Sequence, residues 1–180
     1  MEAFESLVAG LLRREGLWII PQYKIVLTKA DKAEIQQPSH PRVPIDILGY
    51  RAVTNTVLWI ECKSYLDSTG VHKRAFDGSN PDAASKYKVF TNETFRVVAT
   101  RRLLQQVVDQ QLVPVGPGID YWLVAGKVAL ESNAWLRQHF GNKGWTLHDS
   151  TWVLQHLQQM SSAKYEDDVA VMVAKLLRAQ

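Results

Sequence analysis

The stretch from Thr56 to Ser64 constrains the fold more than any other part of the chain. Both of its alternating sets, Val57/Trp59 and Leu58/Ile60, are apolar. Successive side chains in a strand point to opposite faces, so a strand that is apolar on both sets is covered on both sides. The covering layers must be helices, which predicts an α/β fold with a central sheet. Val43 to Tyr50 has the same β-branched and large apolar character, and Ala52 to Asn55 between the two segments can turn. The two segments read as a β-hairpin.

The flanking sequence supplies the helices. Phe4, Leu7, Val8, Leu11 and Leu12 recur at helical spacing before Gly16, which predicts an amphipathic helix over residues 2 to 15 with a glycine stop. Tyr23 to Thr28 has strand character, and Lys29 to Pro41 reads as a loop. The polar run from Tyr65 to Pro81 predicts a long, mobile loop, followed by a short helix over residues 82 to 91. Phe95 to Leu112 reads as a helix that stops before Pro114, and Ile119 to Ala125 as a second buried strand. A helix at Ser132 to Phe140, a short strand at Trp145 to Leu147, and helices at Thr151 to Met160 and Tyr165 to Arg178 complete the pattern. At 180 residues the chain fits a single domain.

The hairpin also carries chemistry. Glu61 and Lys63 are two residues apart, so they share a face, and a hairpin symmetric about Val53-Thr54 puts Asp46 directly opposite Glu61. Two carboxylates about 5 Å apart on a largely apolar sheet repel each other and are costly to keep ionised without a cation. Mg²⁺ takes hard oxygen ligands, one or two carboxylates among them, and keeps positions for water and phosphate. Lys63 beside such an ion can hold a phosphate or orient an attacking water.

Pro44-Ile45-Asp46, followed after fourteen residues by Glu61-Cys62-Lys63, resembles the signature of the PD-(D/E)XK, or restriction-endonuclease-like, nucleases. The proline stands two residues before the aspartate instead of next to it. Members of that superfamily also carry an acid on the first helix, and Glu5 within Phe4-Glu5 resembles it. The resemblance implies an αβββαβ core over about residues 2 to 125, a mixed central sheet flanked by helices and an α-rich C-terminal elaboration over 126 to 180. It further implies Mg²⁺, with Mn²⁺ as a substitute, held by Asp46, Glu61 and the Cys62 carbonyl; DNA as substrate; and a homodimer. The segment from Tyr65 to Thr94 has no counterpart in the family pattern.

Other residues have plainer readings. The Cys62 side chain reads as a small core residue. His40, His72, His139, His148 and His156 show no zinc-ligand spacing, and only His72 sits where a phosphate contact is expected. Gln105, Gln106, Gln110 and Gln111 read as a solvated helix face, and Ser64 and Tyr65 as a polar strand end close to the expected scissile phosphate. Lys73 and Arg74, with Arg101 and Arg102, are the expected phosphate contacts.

Charge adds a modest argument. Residues 1 to 102 carry 15 Lys and Arg against 11 Asp and Glu, and residues 103 to 180 carry 6 against 7. The basic excess therefore lies in the N-terminal part, as a polyanion-binding face requires. No apolar run reaches the roughly 18 residues of a membrane-spanning helix, and no signal peptide is expected. A single cysteine cannot form an intramolecular disulfide, so a reducing, cytoplasmic setting is the expectation. The leading reading is a Mg²⁺-dependent deoxyribonuclease, an endonuclease in its expected mode. Its rivals are a catalytically inactive nucleic-acid-binding module of the same fold and a structural domain with a fortuitous charge cluster. The presence of Lys63 beside both acids favours the enzyme, because the core needs none of the three.

Overall fold

The computed structural model describes residues 2–39, 41–162 and 168–178. His40 and the first residues of the expected last helix, 165 to 167, lie outside the described residues. The chain is α/β, built on a five-stranded mixed sheet flanked by helices, in the spatial order β1-β2-β3-β4-β5.

Helix α1 (Ala3–Arg14) opens on a reciprocal cap between Glu2 and Glu5, buries Val8, Ala9, Leu11 and Leu12, and stops before Gly16. Gly16 adopts a left-handed φ of 81°, which a glycine tolerates without a Cβ clash. Strand β1 (Trp18–Val26) is longer than the sequence pattern predicts, because Pro21 masks its first half. A proline is tolerated there since β1 is an edge strand. The expected loop after it contains a short helix, α2 (Lys29–Glu34), whose cap is Thr28 paired reciprocally with Asp31.

Strands β2 (Arg42–Arg51) and β3 (Thr56–Lys63) form the predicted hairpin, turning through Ala52–Thr54 and a left-handed Asn55. The register is the expected one from Ile47↔Ile60 to Arg51↔Thr56. The segment after β3 is not a free loop. Val71 is fully buried and bridges Val128, while Phe76 packs on Tyr87 and Phe140 with ring centroids 4.8 and 5.3 Å away. The expected helix at 82 to 91 is broken into α3 (Pro81–Ala84), a 3₁₀ turn at Ser85–Tyr87, and α4 (Lys88–Thr91). Asn92 then caps α5 (Glu93–Asp109) by accepting from the Phe95 amide.

Strand β4 (Gly118–Ala125) lies parallel to β3, and β5 (Thr146–His148) parallel to β4. Between them runs α6 (Leu130–Asn142), and α7 (Ser150–Ser161) and α8 (Val169–Arg178) follow. Two apolar layers cover the sheet. Val57 and Trp59 of β3 pack with Phe95, Val98, Leu103 and Val107 of α5. Leu58, Ile60 and Cys62 pack with Val8, Leu11 and Leu12 of α1 and with Val153 of α7. The two-faced apolar pattern of β3 thus has the cause the sequence suggests. No helix among the described residues is long and apolar enough to cross a membrane.

Candidate active site at the end of the hairpin

Side-chain alternation breaks at one level of the sheet. In β2, Val43 and Ile45 face the α5 layer, but so do Leu48 and Tyr50, while Ile47 faces the α1 layer. In β1, Ile19 packs against the α1 layer while Tyr23 and Ile25 lie in the α5 layer. The strands pair as Pro21↔Ile47 and Tyr23↔Ile45, so Gln22 and Asp46 occupy the kinked level between them. Gln22 has a φ of 52°, in the left-handed region that β-strand residues avoid.

This kink corrects one detail of the expected geometry. The β2–β3 ladder ends at Ile47↔Ile60, one pair short of a direct opposition between Asp46 and Glu61. Asp46 instead turns its carboxylate toward β3, and Oδ2 accepts the Cys62 amide at 2.8 Å. Even so, the three expected residues converge. Lys63 Nζ stands 3.7 Å from Asp46 Oδ2 and 3.6 Å from Glu61 Oε2. The side chains are 24%, 16% and 21% exposed for Asp46, Glu61 and Lys63, so the group is sheltered yet reachable from solvent.

Glu61 is the most stressed member. Burial pushes its carboxyl up to about 7, the Asp46 charge adds to the rise, and Lys63 opposes it. Its Oε1 accepts a hydrogen bond from Trp59 Nε1 at 2.9 Å, which fixes the carboxylate from below. For Lys63, burial works to lower the ammonium pKa, but the charges of Glu61 and Asp46 outweigh it and hold the group above its ordinary value. Lys63 is therefore a positive charge clamped between two acids.

The other expected ligands are less central. Glu5 is half-buried on α1, and its Oε2 accepts the Glu2 amide at 3.2 Å as part of the helix cap. Its charge reaches Cys62, whose thiol is raised first by burial and then by Asp46, Glu5 and Glu61. Cys62 itself is buried among Leu58 and Ile60, which makes its side chain a core residue, as expected. Among the described residues, no three His, Cys, Asp or Glu side chains gather closely enough to cage a metal ion. The donor set is thus two hard carboxylate oxygens. That suits Mg²⁺, which keeps several waters and commonly takes only one or two carboxylates from the protein.

The expected phosphate contacts divide into two groups. Lys73 and Arg74 are exposed on a 3₁₀ turn, and Arg74 lines a cavity of about 210 Å³ together with Tyr65 and His72. His72, in turn, contacts Glu131 at 3.1 Å. Arg101 and Arg102 are engaged elsewhere. Arg101 bridges Asp31 at 3.1 Å and Glu34 at 2.9 Å, and Arg102 donates to the Val26 carbonyl at 2.9 Å. Their partners are roughly 70 residues away in sequence, which is why spacing along the chain could not reveal them.

Gln106 is not on a solvated face. It is buried, accepts the Val26 amide at 2.9 Å, and donates to the Lys24 carbonyl at 3.0 Å and to the Tyr23 hydroxyl at 2.8 Å. Sequence reasoning also passed over Arg42, Lys86 and Lys88. All three line a cavity of about 290 Å³ that has Glu61 and Trp59 in its wall. The available signal was the position of Arg42 just before the motif and the alternation Lys86-Tyr87-Lys88 around a buried tyrosine. Compared with protein-family models, curated proteins and solved structures, the chain matches none.

Proposed function

We propose that the protein is a Mg²⁺-dependent DNA nuclease with a restriction-endonuclease-like core, hydrolysing phosphodiester bonds at Asp46, Glu61 and Lys63. The observation that carries this reading is the placement of the Lys63 ammonium within 3.7 Å of both carboxylates, at the sheltered but open end of the hairpin. Two acids sheltered beside one lysine, one of them with its carboxyl pushed up to about 7 by burial, are what a cation site would use, and this supports the reading. The order helix, three strands, helix, strand, with the short helices α2 to α4 inserted, supports the reading, since it is the order that the resemblance implies.

Asp46 and Glu61 would hold the ion, with the Cys62 carbonyl as a third oxygen and Glu5 in support from α1. Bound there, Mg²⁺ supplies Lewis-acid polarisation of the phosphate and a water of lowered pKa. The chain's own residues do the rest. Trp59 orients Glu61 through its indole N–H, and the Cys62 amide orients Asp46, so both carboxylates are fixed before substrate arrives. The Lys63 ammonium is placed to bind a non-bridging phosphate oxygen or to orient the attacking water.

Incubation of the purified chain with plasmid, linear and branched DNA, in Mg²⁺ or in chelator, tests the proposal. Cleavage that requires Mg²⁺ and disappears in Asp46→Asn is expected. Absence of Mg²⁺-dependent cleavage on every DNA form overturns it.

A further inference from the structure

The segment from Tyr65 to Thr94, which the family pattern leaves unassigned, forms one wall of the site. Phe76 and Phe90 anchor it on Phe140 of α6, with ring centroids 5.3 and 5.1 Å apart, and Tyr87 packs on Phe76. Held in this way, it presents Lys86 and Lys88 across a cavity from Arg42 of β2. None of these three cations makes an ion pair among the described residues, so their charge is available to a ligand. Between them the walls are largely apolar, with Val43 and Pro44 on one side and Val89 and Phe95 on the other, and with Gln37, Ser85 and Glu61 as the remaining polar groups. At about 290 Å³ the cavity is close to the smallest size of typical small-ligand pockets, roughly 300 Å³. Lys86 also lines the second cavity, of about 210 Å³, that runs toward Tyr65, His72 and Arg74. Two cavities therefore meet at Lys86, one beside Glu61 and the other beside Arg74.

Cations around an apolar hollow fit a nucleotide, which pairs an anionic phosphate with a flat, largely apolar base. A base stacked within a duplex cannot reach such a hollow, because its faces are covered by its neighbours and the helix is far too wide to enter. We propose that the cavity beside Glu61 takes one unpaired nucleotide of a DNA strand, with Arg42, Lys86 and Lys88 on its phosphates, and that the strand continues past Lys86 toward Arg74. This assignment takes its scissile phosphate from the nuclease reading but makes a claim about binding that stands apart from cleavage. The favoured substrate is DNA with an unpaired strand at the cut point, such as a flap, a splayed end or a single strand, over continuous duplex.

Binding in chelator, where no cleavage occurs, provides the test. Oligonucleotides of one sequence are compared as single strand, flap and blunt duplex by fluorescence anisotropy across a salt series. A second set carries 2-aminopurine at successive positions, whose emission rises when the base leaves its stack. Single strand and flap are expected to bind roughly 10-fold or more tightly than duplex, the scale of one base packed against protein. One 2-aminopurine position near the flap junction is expected to brighten. Lys86→Ala/Lys88→Ala, which alters side chains at the cavity rim, should lower the salt slope by roughly one to two units and abolish the brightening. Equal binding of duplex, no position-specific brightening, or an unchanged slope overturns the assignment. If the binding results hold but Mg²⁺ supports no cleavage of any of these DNAs, the nuclease reading fails and the cavity assignment stands. If Asp46-dependent cleavage occurs while the double variant binds as the wild type does, the cavity assignment fails and the nuclease reading stands.

Discussion

Asp46 Oδ2 accepts the Cys62 amide at 2.8 Å, beyond the last pair of the hairpin ladder, Ile47↔Ile60. One carboxylate thus satisfies a backbone donor and, with Glu61, forms the candidate metal site. The two roles separate under substitution. Asp46→Asn keeps an acceptor for the amide and removes the charge, whereas Asp46→Ala removes both. We expect both variants to lose Mg²⁺-dependent cleavage. Only Asp46→Ala should also lose stability, by about 1–3 kcal/mol, the penalty for a buried donor without a partner. Denaturant unfolding beside a cleavage assay checks this, and an Asp46→Asn protein that cuts at the wild-type rate removes Asp46 from the metal site.

Lys63→Met keeps the aliphatic stem and deletes the ammonium that faces both acids. Without it the carboxylates repel, so the metal-free variant should unfold at lower denaturant than the wild type, and added Mg²⁺ should restore the difference. Activity should not follow. Cleavage is expected to remain down by roughly 10²-fold or more at saturating Mg²⁺, the scale of losing one positioned catalytic group. Near-normal turnover under those conditions would show that Lys63 only neutralises its neighbours.

His148 offers a pH prediction away from the hairpin. Its ring stacks on Trp152 at 4.4 Å and meets Trp122 edge-on at 4.8 Å, and its Nε2 is buried with no hydrogen-bond partner among the described residues. Burial lowers its pKa to about 4, the charges of His156 and Arg137 act in the same direction, and Asp149 opposes them. The folded state therefore resists protonation more than the unfolded chain does. The associated stability is fully present above the ordinary histidine value near 6.5 and is lost as pH falls toward 4. In His148→Phe this loss should vanish, so the stability of the variant relative to wild type should rise by up to about 1.4 kcal/mol per pH unit on acidification. Thermal melts of both proteins from neutral to acidic pH measure it, and parallel curves would contradict the burial of a neutral ring.

Gly126 follows β4 where the chain closes against the end of β3. Its amide donates to the Lys63 carbonyl at 2.9 Å, and a Cβ there would lie 2.3 Å from the Ser64 carbonyl oxygen. Gly126→Ala must therefore push apart the strand ends that carry Lys63. Loss of both thermal stability and cleavage is expected. Gly118→Ala, at the other end of β4, is the control, since the nearest atom to its Cβ would be 3.7 Å away. Similar melts for the two variants would show that the junction can relax.

The hairpin register from Ile47↔Ile60 to the turn, and the shared face of Glu61 and Lys63, were legible in the sequence because they depend on a symmetric turn and local periodicity. The kink at Gln22 and Asp46 was not, since a left-handed φ at a glutamine leaves no pattern in apolar spacing. The ion-pair partners of Arg101 and the burial of Gln106 stayed hidden for a related reason. Their partners, Asp31 and Glu34 for one and Lys24 and Val26 for the other, become neighbours only when α5 crosses the outer strand. Tyr65 to Pro81 reads as loop by composition, yet its few apolar residues, Val71, Ala75 and Phe76, suffice to pin it.

The buried side chain of Gln106 has a consequence for how copies of this chain can meet. Strand β1 is an edge, and an edge with free amides and carbonyls is a template on which another strand can add. Between Lys24 and Val26 that template is already filled, because Gln106 mimics a peptide unit and Arg102 takes the remaining carbonyl of Val26. Beyond the kink, toward Trp18, Pro21 withholds a donor. This stretch of the edge is thus closed from within, by a helix whose side chains carry the hydrogen-bonding groups that a sixth strand would bring, and strand addition there is blocked.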